Sequence, residues 1–183
     1  MGYVYLYYGT GGGKTANALG LALRSVGHCK NVVIIQFLKW KKDIGEYLIR
    51  DQLKPYYEIY QFGRDAWLGE TKKTTEFGGE KFNIESIKKQ DKILARKALD
   101  FAGQVLLKKP HLLVLDEINL VAQWKLVEVK DVLKLLDNLP QETNVVMTGR
   151  LAPEELIERA DFVNIVQEVK TPASFKLTEG IQY

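Results

Sequence analysis

The sequence predicts an α/β fold in which a mainly parallel sheet is flanked by helices. Short apolar runs that suit strands buried on both faces alternate along the chain with stretches of helical periodicity. A helix between two strands makes a crossover connection, which favours parallel pairing of those strands. In addition, a glycine-rich loop joins the first predicted strand to the first predicted helix, at the sheet edge where open α/β folds place their ligand sites.

The first half of the chain contains three predicted strands and two predicted helices. Residues 3–8 (YVYLYY) are aromatic, β-branched and nearly all apolar, which favours a strand buried on both faces. Residues 15–26 carry alanine and leucine at helical spacing on one face, and Gly27 predicts the end of this helix. The other elements of this half are a buried strand at 31–37, a short helix near 45–53 and a strand at 56–62.

The second half begins with an irregular segment. Residues 63–83 are rich in glycine, threonine and lysine and show no sustained period, so we expect a loop that is a candidate substrate lid. The remaining predicted elements are helices at 84–107, 126–136 and 153–160, strands at 112–115, 144–147 and 162–166, and an irregular tail at 170–183. Residues 1–183 are therefore expected to form a single α/β domain.

The composition excludes several classes of protein. The chain has 183 residues, of which 46% are hydrophobic and 27% charged, values that suit one soluble domain. Its apolar runs are too short to span a bilayer and no signal sequence opens it, so we expect a cytoplasmic protein without a membrane segment. The single cysteine, Cys29, excludes an internal disulfide and a multi-thiolate zinc site. A net charge of +3 is too small to indicate nucleic-acid binding.

The glycine-rich loop has the composition of a phosphate-binding loop. Its residues are Gly9, Thr10, Gly11, Gly12, Gly13, Lys14 and Thr15. Glycines let successive N–H groups face an anion, and the following helix adds a favourable dipole. Lys14 offers a positive charge to phosphate oxygens, and the Thr15 hydroxyl can ligate Mg²⁺. The loop is one residue shorter than the usual pattern, and the alternative is a glycine turn without a ligand, which this context disfavours.

Two acids follow the predicted strand at 112–115. Asp116 and Glu117 would lie at the carboxyl end of this strand, beside the phosphate loop. A carboxylate there can hold Mg²⁺ or Mn²⁺, directly or through water. The spacing does not decide which carboxylate meets the metal, and the alternative is an acid that caps the next helix.

Three further residues are candidates for ligand contacts. Arg150 follows the predicted strand at 144–147, where it either reaches a phosphate or remains a surface residue. Arg24 lies late in the first predicted helix, a position that favours a solvated residue. Trp67 either covers a flat ligand or plugs the edge of the core, and the plug is the favoured interpretation. The lysines at 39, 41 and 42 are expected to form a solvated loop.

Taken in order, these motifs resemble the phosphate-loop type cob(I)alamin (corrinoid) adenosyltransferases, a family that shares the shortened glycine loop. Further matching segments are ALRSVGH at 22–28, QFLK at 36–39 with GE at 45–46, LDE at 115–117, TGRLAP at 148–153 and GIQY at 180–183. Trp67 matches the tryptophan of the family's corrin-side G-F-T-W-E-T segment, while Asp65 stands at the position of its phenylalanine.

The resemblance implies a RecA-like P-loop fold and transfer of the 5′-deoxyadenosyl group of ATP to Co(I), with release of triphosphate. It implies that residues 9–15 bind the phosphates, that Thr15 and Glu117 hold Mg²⁺, and that Arg24 and Arg150 support the nucleotide. Lys14, Glu117 and Arg150 would then form the catalytic set, and Trp67 would face the corrinoid. The resemblance also implies a homodimer and an electron-donor reductase as partner. Since Co(I) is itself a strong nucleophile, no protein nucleophile is expected.

A second function class fits the same motifs. In hydrolytic ATPases an Asp-Glu pair such as Asp116-Glu117 places the glutamate beside an attacking water, so an ATPase or a regulatory nucleotide-binding protein is the alternative. A nucleoside kinase of related fold would be expected to carry a zinc-binding cysteine cluster, which a single cysteine excludes. An ATP-binding module without catalysis is a residual alternative.

Overall fold

The computed structural model describes residues 2–77 and 80–182. The strands are β1 (Val4–Tyr8), β2 (Val32–Phe37), β3 (Tyr57–Phe62), β4 (Trp67–Gly69), β5 (Lys73–Phe77), β6 (Glu80–Ser86), β7 (Leu112–Asp116), β8 (Asn144–Gly149) and β9 (Phe162–Ile165). The helices are α1 (Lys14–Gly27), α2 (Gly45–Leu48), α3 (Lys89–Leu107), α4 (Ile118–Gln123), α5 (Val129–Asp137) and α6 (Glu154–Arg159), with a 3-10 turn at Ile49–Asp51.

Six of these strands form one sheet in the order β3-β2-β7-β8-β1-β9, and each neighbouring pair is parallel. The predicted α/β fold with a mainly parallel sheet is confirmed, and the arrangement is consistent with a RecA-like P-loop fold. Because parallel strands end at a common edge, the residues that follow β1, β2, β7 and β8 lie along one edge of the sheet. This edge carries the candidate site.

Helices cover both faces of the sheet. On one face, Ala18 and Ala22 of α1 pack with Ile34 and Val114 of the central strands. On the other face, Ile35 and neighbouring strand residues pack with α3, α4, α5 and α6, which contribute Leu99, Ile118, Val132 and Leu156. Successive residues of β2 therefore belong to opposite cores, as expected for a strand with alternating side chains that is buried on both faces.

The prediction that residues 63–83 are irregular is wrong. β4, β5 and β6 form a three-stranded sheet in the order β4-β6-β5, in which β5 is antiparallel and β4 parallel to β6. Lys73, Thr74, Lys81 and Asn83 are exposed, so these strands lack the apolar alternation by which a strand is recognised in a sequence. Residues 78 and 79 of this segment lie outside the described residues. Its role as a substrate lid stays a prediction.

Two helix predictions need correction. The helix expected at 84–107 begins only at Lys89, because β6 continues to Ser86. The helix expected at 126–136 corresponds to α5, and α4 precedes it; the six residues of α4 (INLVAQ) are too few to show a helical period. Within residues 170–182 of the predicted tail, the described chain contains no helix or strand. No helix among the described residues is long and apolar enough to cross a membrane.

Candidate active site

The glycine-rich loop is shaped by close approach to the chain that follows β9. Gly9 has a φ of +118°, and a β-carbon there would lie 2.4 Å from the Val166 carbonyl oxygen. The Gly11 N–H donates a hydrogen bond to the same oxygen at 2.8 Å, and the Gly9 N–H donates to the Arg150 carbonyl oxygen at 3.1 Å. Glycine is thus required at the start of the loop by both backbone angle and space.

The second half of the loop faces open space. A β-carbon built at Gly12 or Gly13 would meet no atom within 4 Å, and Gly13 has a φ of +96° at the start of α1. Lys14 folds back so that its Nζ donates to the Gly11 carbonyl oxygen at 2.5 Å. Burial lowers the pKa of Lys14, although the nearby Glu117 carboxylate opposes this shift. Loop backbone and Lys14 therefore border one space that can receive an anion.

Asp116 lies at the centre of a buried polar network. Its side chain is fully buried, and its Oδ1 accepts hydrogen bonds from the Thr15 hydroxyl at 2.9 Å and from the Thr148 hydroxyl at 2.6 Å. Gln36 Nε2 donates to Oδ2 at 3.2 Å, and Lys39 Nζ lies 2.7 Å from Oδ2. Burial alone would raise the pKa of Asp116, but the Lys39 ammonium and the two hydroxyls hold it below its ordinary value. Asp116 is therefore an ionised group that ties the phosphate loop to three strand ends.

Glu117 presents a buried carboxylate oxygen that is not used by the protein. Its Oε2 is buried and has no hydrogen-bond partner among the described residues. Glu117 directly precedes α4, at the N-cap position, with a φ of +68°. Its side chain makes no capping hydrogen bond, which argues against the alternative of a capping acid. Burial and the neighbouring Asp116 charge raise its pKa. A buried oxygen without a partner indicates a contact supplied by a ligand.

These oxygens suit a divalent cation. The Thr15 hydroxyl, the Asp116 carboxylate and the Glu117 oxygen are the hard donors that Mg²⁺ and Mn²⁺ prefer. Over the described residues, no group of three or more His, Cys, Asp or Glu side chains could hold a metal by itself. Because Mg²⁺ is commonly bound by one or two carboxylates together with water and substrate phosphates, the donor set fits a metal whose other ligands are water or nucleotide phosphates.

The other predicted site residues are placed differently. Arg150 is exposed at the end of β8, and its charge acts on both Lys14 and Glu117, so it lies at the site. Arg24 is exposed near the end of α1, ten residues beyond Lys14, which places its Cα about 15 Å along the helix axis from the loop. Within this chain, therefore, Arg24 is not brought to the phosphate loop.

Trp67 does not plug the core. It is 45% exposed on β4, and its ring meets the Trp40 ring edge to face, with centroids 5.4 Å apart and planes at 76°. Lys41 Nζ lies 5.8 Å from the centre of the Trp67 ring, within cation–π distance. Trp67 is thus part of a surface cluster with the loop that follows β2, which also carries Lys39.

Sequence reasoning missed two residues of the site. Lys39 was expected in a solvated loop, and this is wrong: its side chain is only 29% exposed and pairs with Asp116. Burial would lower the pKa of Lys39, but the attraction of Asp116 raises it above its ordinary value. Gln36 is fully buried and bonds Asp116 as well as Glu46 Oε1. Their positions in the sequence could have indicated them. Gln36 is a polar residue within an apolar strand, and Lys39 follows shortly after the carboxyl end of that strand, where ligand sites lie.

Comparison with known proteins identifies the family of this chain. A sequence model described as ATP:corrinoid adenosyltransferase BtuR/CobO/CobP matches residues 1–183. A corrinoid adenosyltransferase of Sinorhizobium sp is 28% identical over 187 aligned residues, covering 100% of this chain and 80% of that protein. Corrinoid adenosyltransferases of Escherichia coli K12 and Salmonella typhimurium LT2, the latter named CobA, are each 29% identical, and the alignments cover 100% of this chain and 86% of theirs. The chain therefore belongs to the ATP:corrinoid adenosyltransferase family, as its motifs predicted.

Proposed function

We propose that this chain transfers the 5′-deoxyadenosyl group of ATP to the reduced cobalt of a corrinoid through the residues of the site described above. The main support for these residue roles is the buried Asp116 on β7. Its hydrogen bonds join Thr15 of the phosphate loop to the neighbouring strands β2 and β8. In the reaction, the electron pair of Co(I) forms a bond to C5′ of ATP. The C5′–O bond breaks, its electron pair stays with the triphosphate, and cobalt becomes formally Co(III).

The protein's task in this step is to hold and neutralise the leaving triphosphate. The loop N–H groups, Lys14 and Arg150 are the positive groups that border the open space beside the loop. Thr15, Asp116 and Glu117 would hold Mg²⁺ or Mn²⁺, which when bound supplies further positive charge for the polyphosphate. No side chain has to act as nucleophile, because the substrate cobalt already does so.

On the corrinoid side, we propose that Trp67 and Trp40 provide the contact surface. Support comes from the exposure of Trp67 and from its contact with the loop that also carries Lys39 into the phosphate end of the site. A flat macrocycle gains contact area on aromatic faces at little cost in conformational entropy. Arg24 remains a proposed nucleotide ligand, although it lies about 15 Å along α1 from the phosphate loop in the described part of the chain.

Three further proposals concern the cellular setting. Because Co(I) forms only by reduction, we propose an electron-donor reductase as a partner, and the cytoplasm as the location. A homodimer is supported by apolar side chains exposed on the edge strand β9, where Phe162 is 46% and Ile165 66% exposed. Exposed apolar groups that cluster on an edge strand are typical of a surface that pairs with another chain.

The decisive experiment is anaerobic incubation with ATP, Mg²⁺ and chemically reduced cobalamin. We expect the absorption spectrum of adenosylcobalamin to appear together with one equivalent of triphosphate. If ADP and orthophosphate were the only products, with or without the corrinoid, the hydrolytic alternative would replace this proposal. Family membership does not favour that alternative.

A further inference from the structure

The side chain of Lys39 reaches into the candidate metal site. Its Nζ lies 2.7 Å from Asp116 Oδ2 and 3.3 Å from Thr15 Oγ1. The backbone directs it there, because Leu38 adopts a φ of +62° and its N–H donates to the Phe62 carbonyl oxygen at 3.1 Å. The ammonium therefore contacts two of the three groups that are proposed to hold the divalent cation.

Two cations cannot share this position without a large cost. Mg²⁺ lies about 2.0–2.1 Å from its ligand oxygens and demands a nearly ideal octahedron. A metal on Thr15 Oγ1 and Asp116 would approach the Lys39 ammonium within about one coordination shell, where charges repel strongly because little water screens them. Binding of the metal and retention of the Lys39 contact therefore oppose each other.

We propose that Lys39 is the internal counter-ion of this site, which a divalent cation displaces when it binds. This inference rests on the proposed metal role of Thr15 and Asp116. The Lys39 ammonium pairs with a fully buried carboxylate whose two hydroxyl partners are already in place, so that the site is formed before the metal arrives. Displacement need not leave the ammonium unpaired, since Glu46 Oε1 lies 4.0 Å from Nζ. A flexible four-carbon stem suits such a change of partner.

The test measures binding of Mn²⁺ alone, with neither nucleotide nor corrinoid, by the electron paramagnetic resonance signal of free Mn²⁺. In Lys39→Met, we expect Mn²⁺ affinity at least about tenfold higher than in the unaltered protein, which corresponds to about 1.4 kcal/mol. The matched control is Lys42→Met, which removes the same charge from an exposed position of the same loop. We expect the control to stay within about twofold of the unaltered protein.

A second measurement covers the case in which Lys39→Met does not fold without a metal. In the unaltered protein, amine acylation followed by mass spectrometry compares the reactivity of Lys39 with that of Lys42. We expect millimolar Mn²⁺ to increase labelling of Lys39 several-fold while leaving Lys42 unchanged. Unchanged labelling of Lys39, or Mn²⁺ affinity in Lys39→Met no higher than in Lys42→Met, would overturn the inference. Neither assay uses a corrinoid. Failure of adenosyl transfer would therefore refute the proposed function without affecting the conclusion about Lys39.

Discussion

Replacing Thr148 by valine tests whether one hydroxyl holds the two site acids in place. The Thr148 hydroxyl donates to Asp116 Oδ1 at 2.6 Å and accepts the Glu117 N–H at 2.9 Å, and the residue is fully buried. A hydrogen bond to a charged group is worth about 1.5–3 kcal/mol, and a donor left without an acceptor costs about 1–3 kcal/mol. The methyl group that replaces the hydroxyl returns about 0.8 kcal/mol. We therefore expect the free energy of unfolding to fall by about 3 kcal/mol.

The chain offers a matched control for this substitution. Thr143 is also fully buried, but its hydroxyl has no hydrogen-bond partner among the described residues. Thr143→Val removes the same atom without breaking a bond, so its free energy of unfolding should change by no more than about 0.5 kcal/mol, or rise. Urea unfolding followed by circular dichroism measures both variants, and the midpoint of thermal unfolding should fall by roughly 6–12 °C for Thr148→Val. Equal losses in the two variants would refute the assigned role of the Thr148 hydroxyl.

Three other predictions test separate parts of the molecule. Lys14→Ala should weaken ATP binding by at least about tenfold, because a charged contact to phosphate is lost. Calorimetry measures the affinity, with the exposed-residue variant Lys42→Ala as control. Equal ATP affinities of the two variants would show that Lys14 does not bind phosphate. Trp67→Ala should raise the KM for the corrinoid roughly 3- to 10-fold and leave the KM for ATP unchanged. The control is Trp124→Phe, since Trp124 packs against the core. A selective loss of ATP affinity in Trp67→Ala would contradict the prediction. Hydrogen bonds from Lys88 and Arg64 lower the pKa of Glu85 from 4.5 to about 2, so its contribution to stability is present above pH 4.5 and is lost as the pH falls towards 2. Glu85→Gln should therefore be less stable at pH 7 and equal to the unaltered protein near pH 2, and a constant difference in acid titrations of unfolding would disprove it.

Local patterns predicted the centre of the site because its chemistry is local. The phosphate loop and the Asp116-Glu117 pair each occupy consecutive residues at the end of an apolar strand, and the topology of a parallel sheet brings strand ends together. The fold class follows from the same alternation of apolar runs and helices. These features need no knowledge of any distant contact, which is why the sequence alone indicated them.

The features that were missed depend on contacts between distant residues. Lys39 resembles its exposed neighbours Lys41 and Lys42 in sequence, and only the path of the backbone after β2 turns it towards Asp116. The second sheet was missed because its strands contain many polar residues and show no sustained apolar alternation, and their pairing with each other is not visible in the sequence. Arg24 shows the opposite case: it matches a family motif in the sequence, but this match does not establish that its side chain reaches the site.

Two ion pairs of Arg64 hold the segment that leads to Trp67. Arg64 Nε lies 2.8 Å from Asp91 at the start of α3, and Arg64 Nη1 lies 2.7 Å from Glu85 on β6. Trp67 itself pairs with Ile84 of β6, so the segment that carries the tryptophan is joined to α3 through Arg64 and to β6 through strand pairing. Because its partner Trp40 directly follows Lys39, a displacement of Lys39 at the metal site would reach the aromatic pair across one peptide unit. We therefore expect Mn²⁺ binding to change the tryptophan fluorescence of the unaltered protein, and to leave that of Trp40→Phe nearly constant.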